Sequence, residues 1–366
     1  MVLLLTLSLL APPLLAAAPP ADVRRAATVL HADVGLVSEA HDAIDQVYRG
    51  QYDAALQSFA AMESRYPGTG FHSAGRALVW QGRMLADDDF RWDDEYQVDY
   101  AAARAQLETA VGVPGNDALD HFLLGGVLGL DALHLARKSE HLASMNRGME
   151  SMSALRRCQE LAPEFIDAKI GDGLFMYWTT VISRRSKLIP DSPDQRTLGI
   201  RQLESIAQNA LLLRPGAQLA LTYIWLEEGS EKMALQTAIA NHFDYPDSVI
   251  SELALGRVYE LNGLDDAARK VYLNVRRLDP KNRLVYLYLG NFYTRQDQHE
   301  RALTTYDRYL GFGLTSEQAA VAHYNKGEVY FRMKDWDRAD AAFAKAWDLD
   351  RVDGAKQRRR DVAEAR

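Results

Sequence analysis

The stretch Leu289-Gly290-Asn291-Phe292-Tyr293, with Ala302 and Tyr306 after it, decides the fold. Measured from Gly290, the first tyrosine, the alanine and the second tyrosine lie at offsets of +3, +12 and +16. The same offsets recur from Gly256 to Tyr259, Ala268 and Tyr272, and from Gly327 to Tyr330, Ala339 and Phe343. Small residues on facing helices let the two backbones approach closely, and aromatic rings fill the holes between neighbouring pairs. The spacing therefore predicts three stacked pairs of antiparallel helices.

These positions resemble the tetratricopeptide repeat, whose pattern is Leu-Gly-x2-Tyr, then Ala-x3-Phe, then Pro. Leu255 and Leu289 precede the first two glycines, and Pro280 completes the first repeat. The resemblance implies an all-α solenoid, because one helix pair cannot bury its apolar face alone and must stack on its neighbours. It also implies that the first helix of each pair lines a concave face.

The rest of the chain shows the same organisation with weaker repeats. Prolines at positions 67, 114, 163, 190, 193, 215, 246 and 280 separate long helix-forming runs. We expect about eight antiparallel helix pairs, five before Pro246 and three after it, or about 15 or 16 helices. The predicted division is a signal-like leader (1–21), a divergent helical-repeat region (22–245), three tetratricopeptide repeats (246–350) and a basic C-terminal tail (351–366).

A second resemblance covers the middle of the chain. The residues that carry it are Gly171-Asp172-Gly173-Leu174-Phe175, Leu188-Ile189-Pro190, Gln195-Arg196, Gly199-Ile200 and Leu203. They resemble the tetratricopeptide repeat protein 39 and inclusion-body-clearance family, whose members are all-helical repeat scaffolds. This resemblance implies the fold and no cellular role.

Composition narrows the class of protein. Of the 366 residues, 48% are hydrophobic and 25% are charged, which is the balance of an ordinary folded protein. The formal net charge of -8 disfavours a dedicated nucleic-acid binder, because such proteins gain affinity by neutralising phosphates. The single cysteine, Cys158, excludes a disulfide framework within the chain and any metal site built from several cysteines.

The first 21 residues carry no charged side chain, and residues 2–10 form an apolar run. Small residues at Ala16, Ala17 and Ala18 provide a site for signal peptidase, so we expect an exported chain, periplasmic or secreted. The alternative is a retained membrane anchor, since a segment of this length nearly spans a bilayer. Pro12 and Pro13 disfavour the anchor because they interrupt the helix at its middle.

The sequence contains no familiar catalytic motif, so we expect neither an enzyme nor a cofactor. It lacks Gly-x-Ser-x-Gly, Ser-x-x-Lys, His-Glu-x-x-His and Gly-x4-Gly-Lys. We interpret His134 and His141 as surface histidines rather than zinc ligands, and Cys158 as a small core residue. The short apolar stretches 121–130 and 173–183 are interpreted as core helices because neither is long enough to span a membrane.

Two charged stretches could meet a partner. Residues 87–95 hold six carboxylates, with Phe90 and Trp92 among them. We interpret this stretch as a solvated loop joining the two helices of the second pair, and a bound cation or a basic partner is the alternative. The run Lys356-Gln357-Arg358-Arg359-Arg360 is interpreted as a solvated capping end, with contact to an anionic membrane surface or partner as the alternative.

The tetratricopeptide resemblance also implies which residues line the concave face of the last three repeats. Counted from Val249, Arg283 and Ala320, the inward positions include Arg257, Tyr288, Asn291, Arg295, Tyr324, Asn325, Glu328 and Arg332. Arg and Tyr are the residue types that often dominate binding energy at interfaces. We therefore expect a non-catalytic scaffold that binds a protein or peptide on this face, without metal or nucleic acid. The alternative is an envelope-associated assembly or lipid-interacting scaffold held at a membrane by residues 1–21.

The family's clamp for peptide C-termini is incomplete in this chain. Asn291 and Asn325 are present, but Leu253 and Val321 occupy lysine positions of that clamp. The resemblance thus favours an acidic segment that meets the arginines over a bound peptide carboxylate.

Overall fold

The computed structural model describes residues 19–113, 117–185, 193–352 and 354–366, and in these ranges all regular structure is helical. The helices are α1 (Ala21–Leu30), α2 (Val34–Tyr48), α3 (Tyr52–Arg65), α4 (Phe71–Asp87), α5 (Asp93–Val111), α6 (Ala118–Arg137), α7 (His141–Leu161), α8 (Ile170–Arg185), α9 (Arg196–Asn209), α10 (Arg214–Glu227), α11 (Glu231–Asp244), α12 (Val249–Leu261), α13 (Asp265–Leu278), α14 (Arg283–Arg295), α15 (His299–Leu310), α16 (Ser316–Arg332), α17 (Trp336–Asp350) and α18 (Ala355–Ala365). A 3-10 helix, Ile166–Lys169, precedes α8. The predicted all-α class is confirmed.

Consecutive helices from α2 to α17 form eight pairs, five before Pro246 and three after it, as the sequence predicted. The expected total of 15 or 16 helices was too low. The described residues form eighteen α-helices because α1 and α18 add one helix at each end of the row. Terminal helices of this kind cover the apolar face that an end pair would otherwise expose.

A residue with a capping side chain precedes the first helix of each of the last three pairs. The side chains of Ser248, Asn282 and Thr315 accept hydrogen bonds from the first turns of α12, α14 and α16. Each cap satisfies an otherwise unpaired backbone N–H and typically stabilises a helix by about 1 kcal/mol. Pro246 and Pro280 lie in the turns just before two of these caps, where a residue without an N–H is tolerated.

The repeating glycines lie at the closest contacts within the last three pairs. A Cβ atom added to Gly256 would lie 2.2 Å from a ring carbon of Tyr272, and one added to Gly290 would lie 2.5 Å from a ring carbon of Tyr306. The corresponding distance from Gly327 to Phe343 is 2.6 Å. All three rings are at most 1% exposed. The aromatic ring of the second helix therefore lies directly against the bare backbone of the first, which confirms the register read from the sequence.

The row of pairs curves back on itself. First helices contact one another along the row, as in α2 with α4, α10 with α12 and α14 with α16. In addition, α4 contacts α12 and α14, and the residues that meet there, such as Ala86 and Asn282, are 196 positions apart. The first helices therefore form the inner, concave layer, and the end of α4 reaches the inner face of the last repeats.

Helix α6 is the one helix in the described ranges that is long and apolar enough to cross a membrane by length and composition. It packs against α4, α5, α7 and α8. Its Asp131 is 4% exposed and lies 2.7 Å from the guanidinium of Arg147 on α7. These contacts agree with the interpretation of residues 121–130 as part of a core helix.

Some sequence predictions lie outside the described residues. These are most of the leader (1–18), Pro114, and the segment 188–190 of the second resemblance.

A matched pair of glycine substitutions tests the packing register. We expect Gly290→Ala to lower the free energy of unfolding by about 1–3 kcal/mol, because the buried Tyr306 ring must move to admit a methyl group. Gly126→Ala is the control, since Gly126 is an exposed glycine of α6 with no atom within 4 Å of the added carbon. Its helix should gain about 0.5–1 kcal/mol. Equal stability of the two variants in chemical denaturation would contradict the register.

Candidate functional site

The eight predicted binding residues lie on the first helices of the last three repeats. Arg257 is on α12, Tyr288, Asn291 and Arg295 are on α14, and Tyr324, Asn325, Glu328 and Arg332 are on α16. Arg295 and Arg332 are exposed, and the other six are half-buried. The structure thus places these residues on adjacent helices, with some of their surface accessible.

Several of them connect one repeat to the next. Asn325 donates a hydrogen bond to the side-chain oxygen of Asn291 over 2.9 Å, and the same oxygen accepts from the hydroxyl of Tyr306 over 2.8 Å. The guanidinium of Arg295 lies 2.8 Å from Glu260 of the preceding repeat. Arg332 likewise lies 3.1 Å from Asp297. These polar contacts form a ladder across the inner face and fix the spacing of the helices that carry it.

The C-terminal end of this face is covered by α18, which contains the basic run. Arg358 makes two hydrogen bonds to the carboxylate of Glu328, at 2.5 and 2.8 Å. Arg359 lies 2.8 Å from Asp340 of α17. Two arginines of the predicted solvated end are therefore paired with acids of the last repeat, and Glu328 is already engaged within the chain.

The inner face also holds a segment of the chain itself. We call residues 86–92, between the last turn of α4 and the start of α5, the acidic corner. Arg283 donates to the backbone carbonyls of Asp87 and Asp88 over 2.7 and 2.6 Å. Asn282 donates to the carbonyl of Ala86 and Gln318 to that of Asp88, both over 2.8 Å. Side chains from α16 and from the cap and first turn of α14 therefore grip the backbone of the acidic corner.

Side chains of α6 and α4 also contact the acidic corner. Arg137 donates to the carbonyl of Asp89 over 3.2 Å and stacks over the ring of Phe90 at 4.8 Å. Trp92 stacks on Trp80 of α4, with ring centroids 5.4 Å apart. The two aromatic side chains that could have anchored a partner are thus used within the fold.

The interpretation of this stretch as a solvated loop holds only in part, since residues 88, 91, 94 and 95 are exposed and the others are buried or half-buried. It does join the helices of the second pair, but Asp89 is 5% exposed and bonds to Arg91, while Arg283 beside it is 3% exposed. Burial raises the pKa of Asp87 to about 6, although Arg91 opposes the shift. Within the described residues, no group of three or more His, Cys, Asp or Glu side chains is arranged to hold a metal ion.

His134 also differs from its prediction. It is fully buried, with its ring 2.8 Å from the carboxylate of Asp93, and burial holds its pKa below the usual value. His141 is exposed, as expected. Cys158 is the predicted core residue, and burial raises the pKa of its thiol to about 12. A thiol with so high a pKa is a poor nucleophile.

Sequence reasoning missed Asn282, Arg283 and Gln318 as a binding set. Their neighbours along the chain give no sign of the role, since the carbonyls of the acidic corner that they bind are 195 to 230 positions away. The only local signal is an arginine that directly precedes the apolar residues Leu284 and Val285, where a charge would be buried.

Removing the guanidinium of Arg283 tests whether this grip holds the structure together. We expect Arg283→Met to lower the free energy of unfolding by about 2–5 kcal/mol, because the carbonyls of residues 87 and 88 lose buried donors. Amide exchange in residues 84–92 should rise as well. Arg276→Met, on an exposed position near the end of α13, is the control and should change neither quantity. Unchanged exchange in the Arg283 variant would show that the contact does not hold the acidic corner.

Comparisons with known proteins identify the repeats. One tetratricopeptide repeat family model matches residues 233–283 and 266–316, and a second matches residues 321–349. A comparison with curated proteins found no match. The resemblance of residues 171–203 to the tetratricopeptide repeat protein 39 and inclusion-body-clearance family is not confirmed and stays a prediction.

Solved structures match this chain at low identity. A chain of the APC/C hetero-tetramer Cut9-Hcn1 matches with a TM-score of 0.62 and 14% identity, over 93% of this chain and 59% of that one. A tetratricopeptide repeat protein from Parabacteroides merdae matches with a TM-score of 0.44 and 13% identity, over 77% of this chain and 98% of that one. Yeast Tom70 matches with a TM-score of 0.45 and 12% identity, over 94% of this chain and 76% of that one. This chain therefore spans a little under three fifths of the first of these.

At such identities the likeness concerns the fold alone. Together, the family models and the glycine register show that the C-terminal part of this chain consists of tetratricopeptide repeats, within a helical solenoid of the same type.

Proposed function

We propose that this protein is a non-catalytic scaffold that binds a protein or peptide partner on the concave face formed by α12, α14 and α16. The observation that carries the proposal is the grip on the acidic corner. There, Asn282, Arg283 and Gln318 bind backbone carbonyls of a non-adjacent segment. A surface that binds backbone carbonyls holds a peptide segment largely independently of its sequence.

The part of the face beyond the acidic corner has the residues to receive a partner. Arg295 and Arg332 are exposed there. The pair of Arg332 with Asp297 is exposed on both sides, and such pairs contribute only about 0–1 kcal/mol, whereas Arg295 pairs with the nearly buried Glu260. A carboxylate of an acidic segment could replace the exposed Asp297 as the partner of Arg332 at little cost, so we propose an acidic partner segment.

The solved relative with the higher TM-score supports this class of function. That relative was solved within a hetero-tetramer of Cut9 and Hcn1, so a chain with this fold takes part in an assembly there. Because the identity is 14%, the partner itself does not carry over to this chain.

Neutral substitutions on the inner face test the proposal. We expect Arg295→Gln combined with Arg332→Gln to abolish most partner capture in a crosslinking pull-down with the full chain, while the variant stays folded because Glu260 keeps Arg257 as a partner. Glutamine is preferable to glutamate because Arg295 faces Glu260, whose side chain is only 7% exposed. A new carboxylate there would destabilise the fold through repulsion.

The matched control carries the same charge change on the outer surface. Arg276→Gln combined with Arg277→Gln alters two exposed arginines of α13. Partners that the control retains and the inner-face variant loses support the proposal. A partner set that is identical for both variants would exclude the inner face as the binding surface.

We further propose that the chain is exported, since residues 1–21 have the composition of a signal peptide. The alternative function, an envelope-associated assembly or lipid-interacting scaffold, requires that this segment is retained. Cell fractionation separates the two. A shortened, soluble form outside the cytoplasm supports the exported binder, and a full-length form in the membrane fraction supports the alternative.

A further inference from the structure

A cavity of about 300 Å³ lies between α4, α10, α12 and α14, next to the acidic corner. Five of its nine lining residues are Leu or Ile, and they come from all four helices: Leu85, Leu226, Ile250, Leu253 and Leu284. Its volume is at the lower end of the range for small-molecule sites, which are mostly apolar with a few convergent polar groups.

The polar part of the wall consists of Arg257, Tyr223 and Tyr288. Tyr223 lines the cavity and is 43% exposed, so its surface is accessible to a ligand there. The guanidinium of Arg257 lies over the ring of Tyr288, 5.2 Å from its centroid. Among the described residues, the hydroxyls of Tyr223 and Tyr288 have no hydrogen-bond partner. Both are therefore available as donors.

The charges around the cavity leave Arg257 poorly neutralised. Its nearest carboxylate in the described part of the chain is Glu260, at 3.9 Å, and Glu260 lies closer to Arg295, at 2.8 Å. One carboxylate thus serves two arginines. Asp88 also acts electrostatically on Tyr223 and Tyr288, but its carboxylate is already 3.4 Å from Arg137. A single negative charge is favoured beside Arg257, and Asp88 opposes a second one.

We propose that this cavity binds an amphipathic monoanion with an unbranched aliphatic chain, such as a medium-chain carboxylate. The chain lies among the five aliphatic side chains, and the carboxylate pairs with Arg257 and accepts hydrogen bonds from Tyr223 and Tyr288. Leu253 is part of the selectivity, because an aliphatic side chain here favours the ligand's hydrocarbon. This inference does not rest on the proposed function, since the ligand needs no protein partner.

Calorimetric titration of the full chain with decanoate tests the proposal. We expect one molecule to bind per chain, and Arg257→Met to weaken binding at least tenfold. Tyr223→Phe removes only one hydroxyl and should weaken binding severalfold without disturbing the fold. Arg276→Met, which removes an exposed arginine outside the cavity, is the control for charge and should bind as the wild type does.

Two further ligands test whether the cavity selects a negative charge and an unbranched chain. Decyltrimethylammonium has an unbranched chain of similar length with a cationic head, and it should not compete with decanoate. The peptide acetyl-Ala-Ala-Leu offers a C-terminal carboxylate next to a short branched side chain, and it should bind far more weakly than decanoate. The proposal is overturned if decanoate does not bind the wild type, if both cavity variants bind it unchanged, or if either competitor binds as well as decanoate.

Discussion

The contact between a glycine of one helix and an aromatic ring of the next is the constraint on which the structure depends. In each of the last three pairs the ring occupies the space that any side chain at the glycine would fill. The two helices therefore pack at backbone distance, and the ring is excluded from water. Burying an aromatic side chain stabilises the folded state by about 1.5–3 kcal/mol. Because this contact is repeated at one spacing, the pairs stack with the same geometry and form a curved row.

Curvature in turn brings distant segments together. The end of α4 meets the inner face of α12 and α14, and buried donors there satisfy the carbonyls of the acidic corner. An unpaired buried carbonyl costs about 1–3 kcal/mol, so these donors are needed once the segments are in contact. The concave face thus consists of three parts. One is already occupied by the acidic corner, one is open and carries Arg295 and Arg332, and the third is the cavity between α4, α10, α12 and α14.

The sequence was sufficient to predict what depends on local spacing. The helical class, the eight pairs and the Gly290–Tyr306 contact follow from residues at most a few tens of positions apart. The fate of the acidic corner depends on Arg283, nearly 200 positions away, so its composition alone suggested a solvated loop. His134 was misjudged for the same reason, because Asp93 and Gln81 that surround it come from other helices. The predicted binding residues lie on α12, α14 and α16, and their role stays a prediction. Pairs such as Glu328 with Arg358 involve α18, whose basic run the sequence suggested to be a solvated end.

The distance between the acidic corner and the start of α14 tests most directly whether stacked pairs curve into a closed turn. Spin labels at cysteines replacing the exposed Asp94 and Lys281 report it by double electron–electron resonance, and the buried Cys158 should remain unlabelled. Asp94 is five residues from Asp89, and five residues of extended chain span at most about 18 Å. We therefore expect one narrow distribution of distances between the two labels, below about 25 Å. An uncurved row would separate the second and seventh pairs by about 50 Å, at roughly 10 Å per helix layer, and a distance of that size would contradict the account.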